Sequence, residues 1–283
     1  MNTVDHNNVV IFDDRGIPSI MCRFVRPKDT EEVPAVFKIG DKVADAIYIS
    51  KYPNIVIDGR AYSMPMADPT VNITFDEAVQ ACRCKGLGWH LMTAVEYEYL
   101  LNQSREKGTM PHGNTDWGKD YYHNEEQGKV SNLGRTYTGT GPVTWNHDHT
   151  PYGVSDLNGN VWEWLAGLRI KDGVIEFIPG NKAASPYCDL SKDSTEWQQA
   201  ETSKGPVRAN VECGEITITD AVAADDYEPN YDGVRIEELE VKLSEIPQVL
   251  KDLGIIPDKR AEEEGKTYVY FDATEGEYLP IRG

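Results

Sequence analysis

Four oxygen donors lie close together in the stretch Asp156–Glu163: the carboxylates of Asp156 and Glu163 and the backbone carbonyls of Gly159 and Val161. Hard oxygen ligands delivered from one short turn suit calcium, which accepts carboxylate and carbonyl oxygens in a flexible geometry. The same residues admit a plainer reading, in which Asp156 caps a turn and Glu163 makes a local ion pair. His147 and His149 are the nearest approach to a transition-metal pair. No third ligand stands near them in the chain, so they read as polar loop residues. Thiol chemistry has little support. Cys22, Cys82, Cys84, Cys188 and Cys213 are scattered and form no CxxC pair. Cys82 and Cys84, two apart on a helix, point to different faces and cannot chelate one ion. An odd, dispersed set favours reduced thiols over a disulfide framework.

The run Gly159-Asn160-Val161-Trp162-Glu163-Trp164 also carries two indoles. Gly159 permits a tight turn. If Val161–Trp164 is a strand, Trp162 and Trp164 share one face, and two rings that large call for a deep core. Trp162 is also the candidate ligand-contacting side chain.

The elements that must position these residues are locally signalled. Val9–Phe12 and Ile20–Val25 read as strands about the turn former Asp13-Asp14-Arg15-Gly16, and Ala46–Tyr52 as a third. Ile55–Ile57 followed by Asp58-Gly59 predicts a hairpin. Thr74 with Glu77, and Thr93 with Glu96, form two capping boxes, each opening a helix. Phe75, Ala78, Val79 and Cys82 line one face of the first, which Gly86 is placed to end. Tyr97, Leu100 and Leu101 give the second its apolar stripe, and Gly108 closes it. Residues 111–151 lack an apolar period and read as a long loop pinned by Trp117 and Trp145, the kind of loop that is usually functional. Val174–Ile178, Glu215–Thr219 and Thr267–Phe271 read as later strands.

Between Asp220 and Glu264 the chain holds fourteen acids against five bases. This stretch, about 220–265, reads as an acidic insertion, a solvated excursion lying over the domain. Within it Ser244 is placed to cap a short helix with Ile246, Leu250 and Leu253 on one side, ended by Gly254. The expected organisation is an N-terminal β segment, 1–45, packed on a main domain, 46–283. The fold class is α+β with two main helices, short strands and much irregular loop.

The 283 residues are 40% apolar and 27% charged, as in an ordinary globular protein, with fifteen tyrosines and six tryptophans. A net charge of −19 would repel a phosphate backbone and acidic lipid surfaces, so nucleic acid and membrane are not expected partners. No apolar run approaches a membrane span, and the N-terminus lacks the basic start and apolar core of a secretory signal. A cytoplasmic setting, at least until assembly, is expected.

Tyr152–Trp164, reading YGVSDLNGNVWEW, closely resembles the signature of the formylglycine-generating enzyme, or sulfatase-modifying factor, family. The resemblance extends to Val71–Ala78, similar to the family's strand-then-helix entry, to Trp89–Tyr99, similar to its "RLPTEAEWEY" helix, and to Pro111-His112-Gly113-Asn114, similar to its "PWGN" loop. It implies a variant of the C-type lectin fold, and structural calcium at Asp156, Gly159, Val161 and Glu163. The family's enzymes carry a redox cysteine pair beyond an "RGG-x-W" motif, whereas this sequence stops at Arg282-Gly283, where that motif would begin. Cys188 and Cys213 match no catalytic position. Trp145, GNVWEW and the terminal LPIRG together resemble the variable proteins of diversity-generating retroelements in phages and gut bacteria. That branch implies a binding protein for a protein or glycan receptor on a host or neighbouring cell, on a phage tail or otherwise virion-associated, with its variable segment after Gly283. The alternative is an oxidase or oxygenase whose catalytic cysteines lie beyond Gly283.

Overall fold

The computed structural model describes residues 6–212, 214–222, 227–262, 264 and 267–283, so Cys213 and part of the acidic stretch lie outside the described residues. The fold mixes a few helices with many short strands. His6–Phe12, Pro18–Val25 and Ala46–Ser50 form an antiparallel sheet, followed by the hairpin Asn54–Ile57 and Arg60–Ser63 turning at Asp58-Gly59. Both residues of that turn have positive φ, which is why the Asp-Gly pair suits it.

Helix α1, Phe75–Arg83, opens on Thr74 and Glu77, and α2, Ala94–Lys107, on Thr93 and Glu96. Both boxes are reciprocal, each hydroxyl taking an N–H and each glutamate returning to the cap. Gly108 closes α2 in the left-handed conformation. Helix α1 ends at Arg83, short of Gly86.

A second sheet runs in the order Glu240–Lys242, Glu215–Thr219, Arg208–Glu212, Val174–Phe177, Leu168–Lys171, Glu277–Tyr278, with Gln198–Gln199 also on Val174–Phe177. Its apolar face supplies Ile175, Val211, Ile216 and Ile218 to a core shared with Phe24 and Ile49 of the first sheet and with Tyr97 and Leu100 of α2. A smaller cluster gathers Phe75, Val79, Ile178 and Cys188 around Trp164.

The acidic stretch is not a solvated excursion. Glu240–Lys242 joins the second sheet in parallel, and Tyr231–Arg235 pairs with Tyr268–Asp272. Helix α3, Gln248–Asp252, sends Leu250 fully into the core, with Leu253 and Ile255 beside it. Ser244 does not cap that helix. Its hydroxyl and N–H go to Asp220 instead, Pro247 stands at the cap position, and Ile246 is exposed. Ser244 stands three residues before the cap position, and the Asp220 carboxylate is a strong acceptor for its hydroxyl and N–H. No helix among the described residues is long and apolar enough to cross a membrane.

Candidate functional site

The long loop of residues 111–151 wraps over the turn that contains Asp156–Glu163. Trp145 is its buried pivot, with its indole N–H donated to Glu126. Trp117, expected to be a second pin, is 76% exposed. Asparagines fasten loop and turn together. Asn160 accepts from the Thr136 N–H at 2.7 Å and from the Asn114 amide at 3.1 Å, and donates to the Thr136 carbonyl at 3.2 Å. The Asn160 N–H reaches the Asn114 carbonyl at 2.8 Å. From the other side, the Tyr97 hydroxyl of α2 donates to the Leu157 carbonyl at 2.9 Å.

This fastening changes the fate of Trp162. Asp156, Gly159 and Asn160 all have positive φ, and the Val161 N–H closes back on the Gly159 carbonyl. The strand therefore begins only at Glu163, as Glu163–Trp164 paired with Ile281–Arg282, and strand alternation does not govern Trp162. Trp164 packs edge-on to Phe75 and donates its N–H to the Ile73 carbonyl. Trp162 points outward and is 78% exposed, so it is not a core pillar.

The two carboxylates of the proposed oxygen set sit inside the turn. Asp156 is buried, and its Oδ2 accepts from the Gly139 N–H at 2.7 Å. Burial pushes its pKa up to about 6, against the pull of that N–H and of the Lys51 charge. Burial also pushes Glu163 up to about 7, and the Asp156 charge adds to the rise. Lys51 is itself committed to the Pro151 and Gly153 carbonyls at 2.8 and 2.7 Å. Two mutually repelling acids plus the Gly159 and Val161 carbonyls are donors of the type a calcium ion takes. Glu163 also lines an apolar cavity of 170 Å³ between the first sheet, α1 and the turn. Among the described residues no group of three or more His, Cys, Asp or Glu side chains is arranged to hold a metal.

The histidine pair resolves differently. His147 is fully buried, its Nδ1 taking the Val154 N–H, while His149 Nε2 is 3.0 Å from the Met110 carbonyl. Each ring serves its own stretch of backbone. Cys22 and Cys188 are buried, and Cys82 is partly so. Burial raises their thiols to about 12, 11 and 11 respectively, which keeps them protonated and weakly nucleophilic.

Residues 50–207 match the model of the sulfatase-modifying factor enzyme 1-like domain, more than half of the chain. The chain belongs to this family. A formylglycine-generating enzyme of Mus musculus is 36% identical over 105 residues, a match spanning 35% of this chain and 27% of the mouse protein. The family domain holds both capping boxes, the long loop and the GNVWEW turn.

One ionisable pair of this domain offers a pH test. His90 Nε2 lies 3.0 Å from Glu96 Oε1 and Nδ1 lies 3.1 Å from the Gly88 carbonyl, so the imidazolium has an acceptor for each N–H. Burial pulls His90 down, but the Glu96 charge, its hydrogen bond and Gly88 outweigh this and raise it above its ordinary 6.5. Burial pushes Glu96 up, and His90 and the Thr93 N–H overcome that to hold it below 4.5. The raised histidine stabilises the fold below pH 6.5, an effect lost as pH rises through its folded value. The lowered glutamate stabilises above pH 4.5, an effect lost as pH falls through its own. Wild type should therefore exceed His90→Gln by about 1–2 kcal/mol between these limits. Urea titrations should show the gap closing as pH rises through the raised folded value of His90. A gap independent of pH would contradict the assignment.

Proposed function

We propose that this protein binds a ligand, a protein or glycan receptor on a host or neighbouring cell, through the exposed aromatic surface around Trp162. The observation that carries the reading is the exposed Trp162 on a turn held from both sides by hydrogen bonds. A large amphipathic ring on a fixed backbone loses little entropy on binding and buries much area, which makes it a natural anchor. Asn160 also borders a shallow depression edged by Trp117, Leu133 and Arg135, so further apolar surface is exposed beside the same asparagine. The finer reading is a C-type lectin-like scaffold used as in the variable proteins of diversity-generating retroelements. Calcium at Asp156, Gly159, Val161 and Glu163 would neutralise the paired acids and stiffen the turn beneath Trp162.

Binding of labelled protein to bacterial cells and to a glycan array tests the reading. Trp162→Ala should lower affinity by at least about 2 kcal/mol, roughly thirtyfold, with an unchanged melting temperature, since the ring is outside the core. Equal binding by both proteins would overturn it. Calcium is tested by calorimetry and by melting with and without chelator. Calcium at about a hundred times its dissociation constant should add about 2.7 kcal/mol of stability. Glu163→Gln should remove that gain, and the absence of both heat and stabilisation in wild type would exclude the ion.

The likeness to a formylglycine-generating enzyme favours a second reading, oxidation of a peptide or small thiol. Incubation with a cysteine peptide in air, followed by mass spectrometry, separates the two. Binding alone predicts an unmodified peptide.

A further inference from the structure

The cavity behind the turn has in its wall a cation that forms no ion pair among the described residues. Lys85, just past α1, is 1% exposed. Its Nζ donates to Ser19 Oγ at 2.7 Å, lies 3.4 Å from the centre of the Trp89 ring and 4.9 Å from that of Tyr62. An ammonium has three N–H donors, and Ser19 accepts one. Ring faces attract the charge without neutralising it. Asp13 contributes from nearby, but its carboxylate is already taken by Arg60, by the Tyr62 hydroxyl and by the Arg15 and Ile17 N–H groups. Burial lowers Lys85 to about 8, so the amine is still mostly charged at neutral pH.

The surrounding space is apolar and adequate. Met21, Ala61, Ala78, Ala81 and Trp89 share the lining of the 170 Å³ cavity with Lys85. The volume is of the order that holds a benzene-sized body, about 150 Å³, and the exposed Trp162 and Tyr48 in the wall leave the pocket open to solvent for entry. The other ionisable groups in the wall leave Lys85 as the place for an anion. The Cys82 thiol is protonated, His90 and Glu96 offset each other, and Glu163 disfavours negative charge at its end.

We propose that this cavity binds a small amphipathic carboxylate, with its head accepting hydrogen bonds from Lys85 and its apolar body filling the space among Met21, Ala61 and Ala81. Trp162 also stands in the wall of this cavity, but the proposal rests on Lys85 and the apolar lining and not on the role of Trp162 in recognition.

The test titrates the full chain with hexanoate and benzoate, and with hexanol and benzyl alcohol as uncharged counterparts, by calorimetry and by the fluorescence of Trp89 against Lys85. The carboxylates should bind at least about tenfold more tightly than the alcohols, as a charge-assisted hydrogen bond requires. Lys85→Met should abolish that preference. Ala81→Leu, which fills the cavity and leaves the partners of Lys85 in place, should abolish carboxylate binding. If Lys85→Met does not fold, the head-group ratio in wild type and the Ala81→Leu result decide. Failure of both carboxylates to bind, equal affinity for acid and alcohol, or undiminished binding by Ala81→Leu would each overturn the proposal.

Discussion

Replacing Gly113 with alanine is expected to cost at least about 3 kcal/mol of stability, because there is no room for a single methyl group between the long loop and the GNVWEW turn. A Cβ built on Gly113 would stand 1.6 Å from the Asn158 carbonyl oxygen and 2.6 Å from its carbon. Both are backbone atoms, so no side-chain rotation relieves the overlap. The segments would have to part, and several hydrogen bonds hold them at their present spacing. The Asn158 amide donates to the Pro111 carbonyl at 3.1 Å, the Gly113 N–H to Asp120 Oδ2 at 3.1 Å, and Asn114 and Asn160 are doubly joined. Each bond broken costs about 1 kcal/mol net. Gly59 is the control. Its φ is +72°, but nothing lies within 4 Å of its would-be Cβ, so Gly59→Ala should lose only about 1 kcal/mol of backbone strain. Urea midpoints compare the two directly. Equal losses would mean that the loop and turn are not closely apposed. Gly113→Ala should also weaken binding through Trp162, since the turn that fixes that ring is the one displaced.

The features legible from the sequence are those whose physics is local. Thr74 with Glu77 and Thr93 with Glu96 announced two helices, because a capping box satisfies donors within three residues of itself. Asp58-Gly59 gave a hairpin for the same reason. Glu215–Thr219, alternating cleanly, was readable to the residue. What failed was decided by partners distant in the chain. Ser244 has the chemistry of a helix cap, but Asp220 takes its hydroxyl across 24 residues. The acidic stretch looked solvated by charge count, yet Leu250 and Leu253 anchor it in the core, and two apolar residues are outvoted in any average over composition.

Trp162 shows the same limit at the candidate site. Strand alternation puts it beside Trp164 in the core, and alternation applies only where the backbone is extended. Three positive-φ residues, Asp156, Gly159 and Asn160, postpone the strand to Glu163. Asn tolerates the left-handed region, and its side chain here both accepts from and donates to the long loop, which no spacing rule within the motif reports. Lys85 was missed altogether. Trp89 lies four residues on in the same loop, but Ser19 and Tyr62 come from two distant strands, and only the fold puts all three around one ammonium.

The second large effect concerns Arg169, which holds three strands of the second sheet at one point. It faces Glu176 across the hairpin, in register, and reaches Glu277 on the next strand. Its guanidinium lies 2.7 Å from Glu176, 2.5 Å from Glu277 and 2.8 Å from the Lys192 carbonyl, with the Trp197 ring 4.3 Å away. The arginine is almost fully buried and both carboxylates are largely so. Had these groups been exposed, the pairs would matter little. Buried, they have paid for desolvation, and removing Arg169 leaves two neighbouring anions without a cationic partner among the described residues. Arg169→Met, which retains much of the stem's packing, should therefore lose about 3–5 kcal/mol in urea unfolding. The decisive comparison adds Glu176→Gln and Glu277→Gln to the same background. Neutral amides need no counter-ion, so the triple variant should recover most of the loss, which separates stranded charge from lost packing. Failure to recover would assign the effect to the stack of Arg169 on Trp197. A loss below about 1 kcal/mol in the single variant would place the cluster with ordinary surface ion pairs and remove it as the clasp that holds Glu277–Tyr278, and with it Ile281–Arg282 beside Glu163, against the domain.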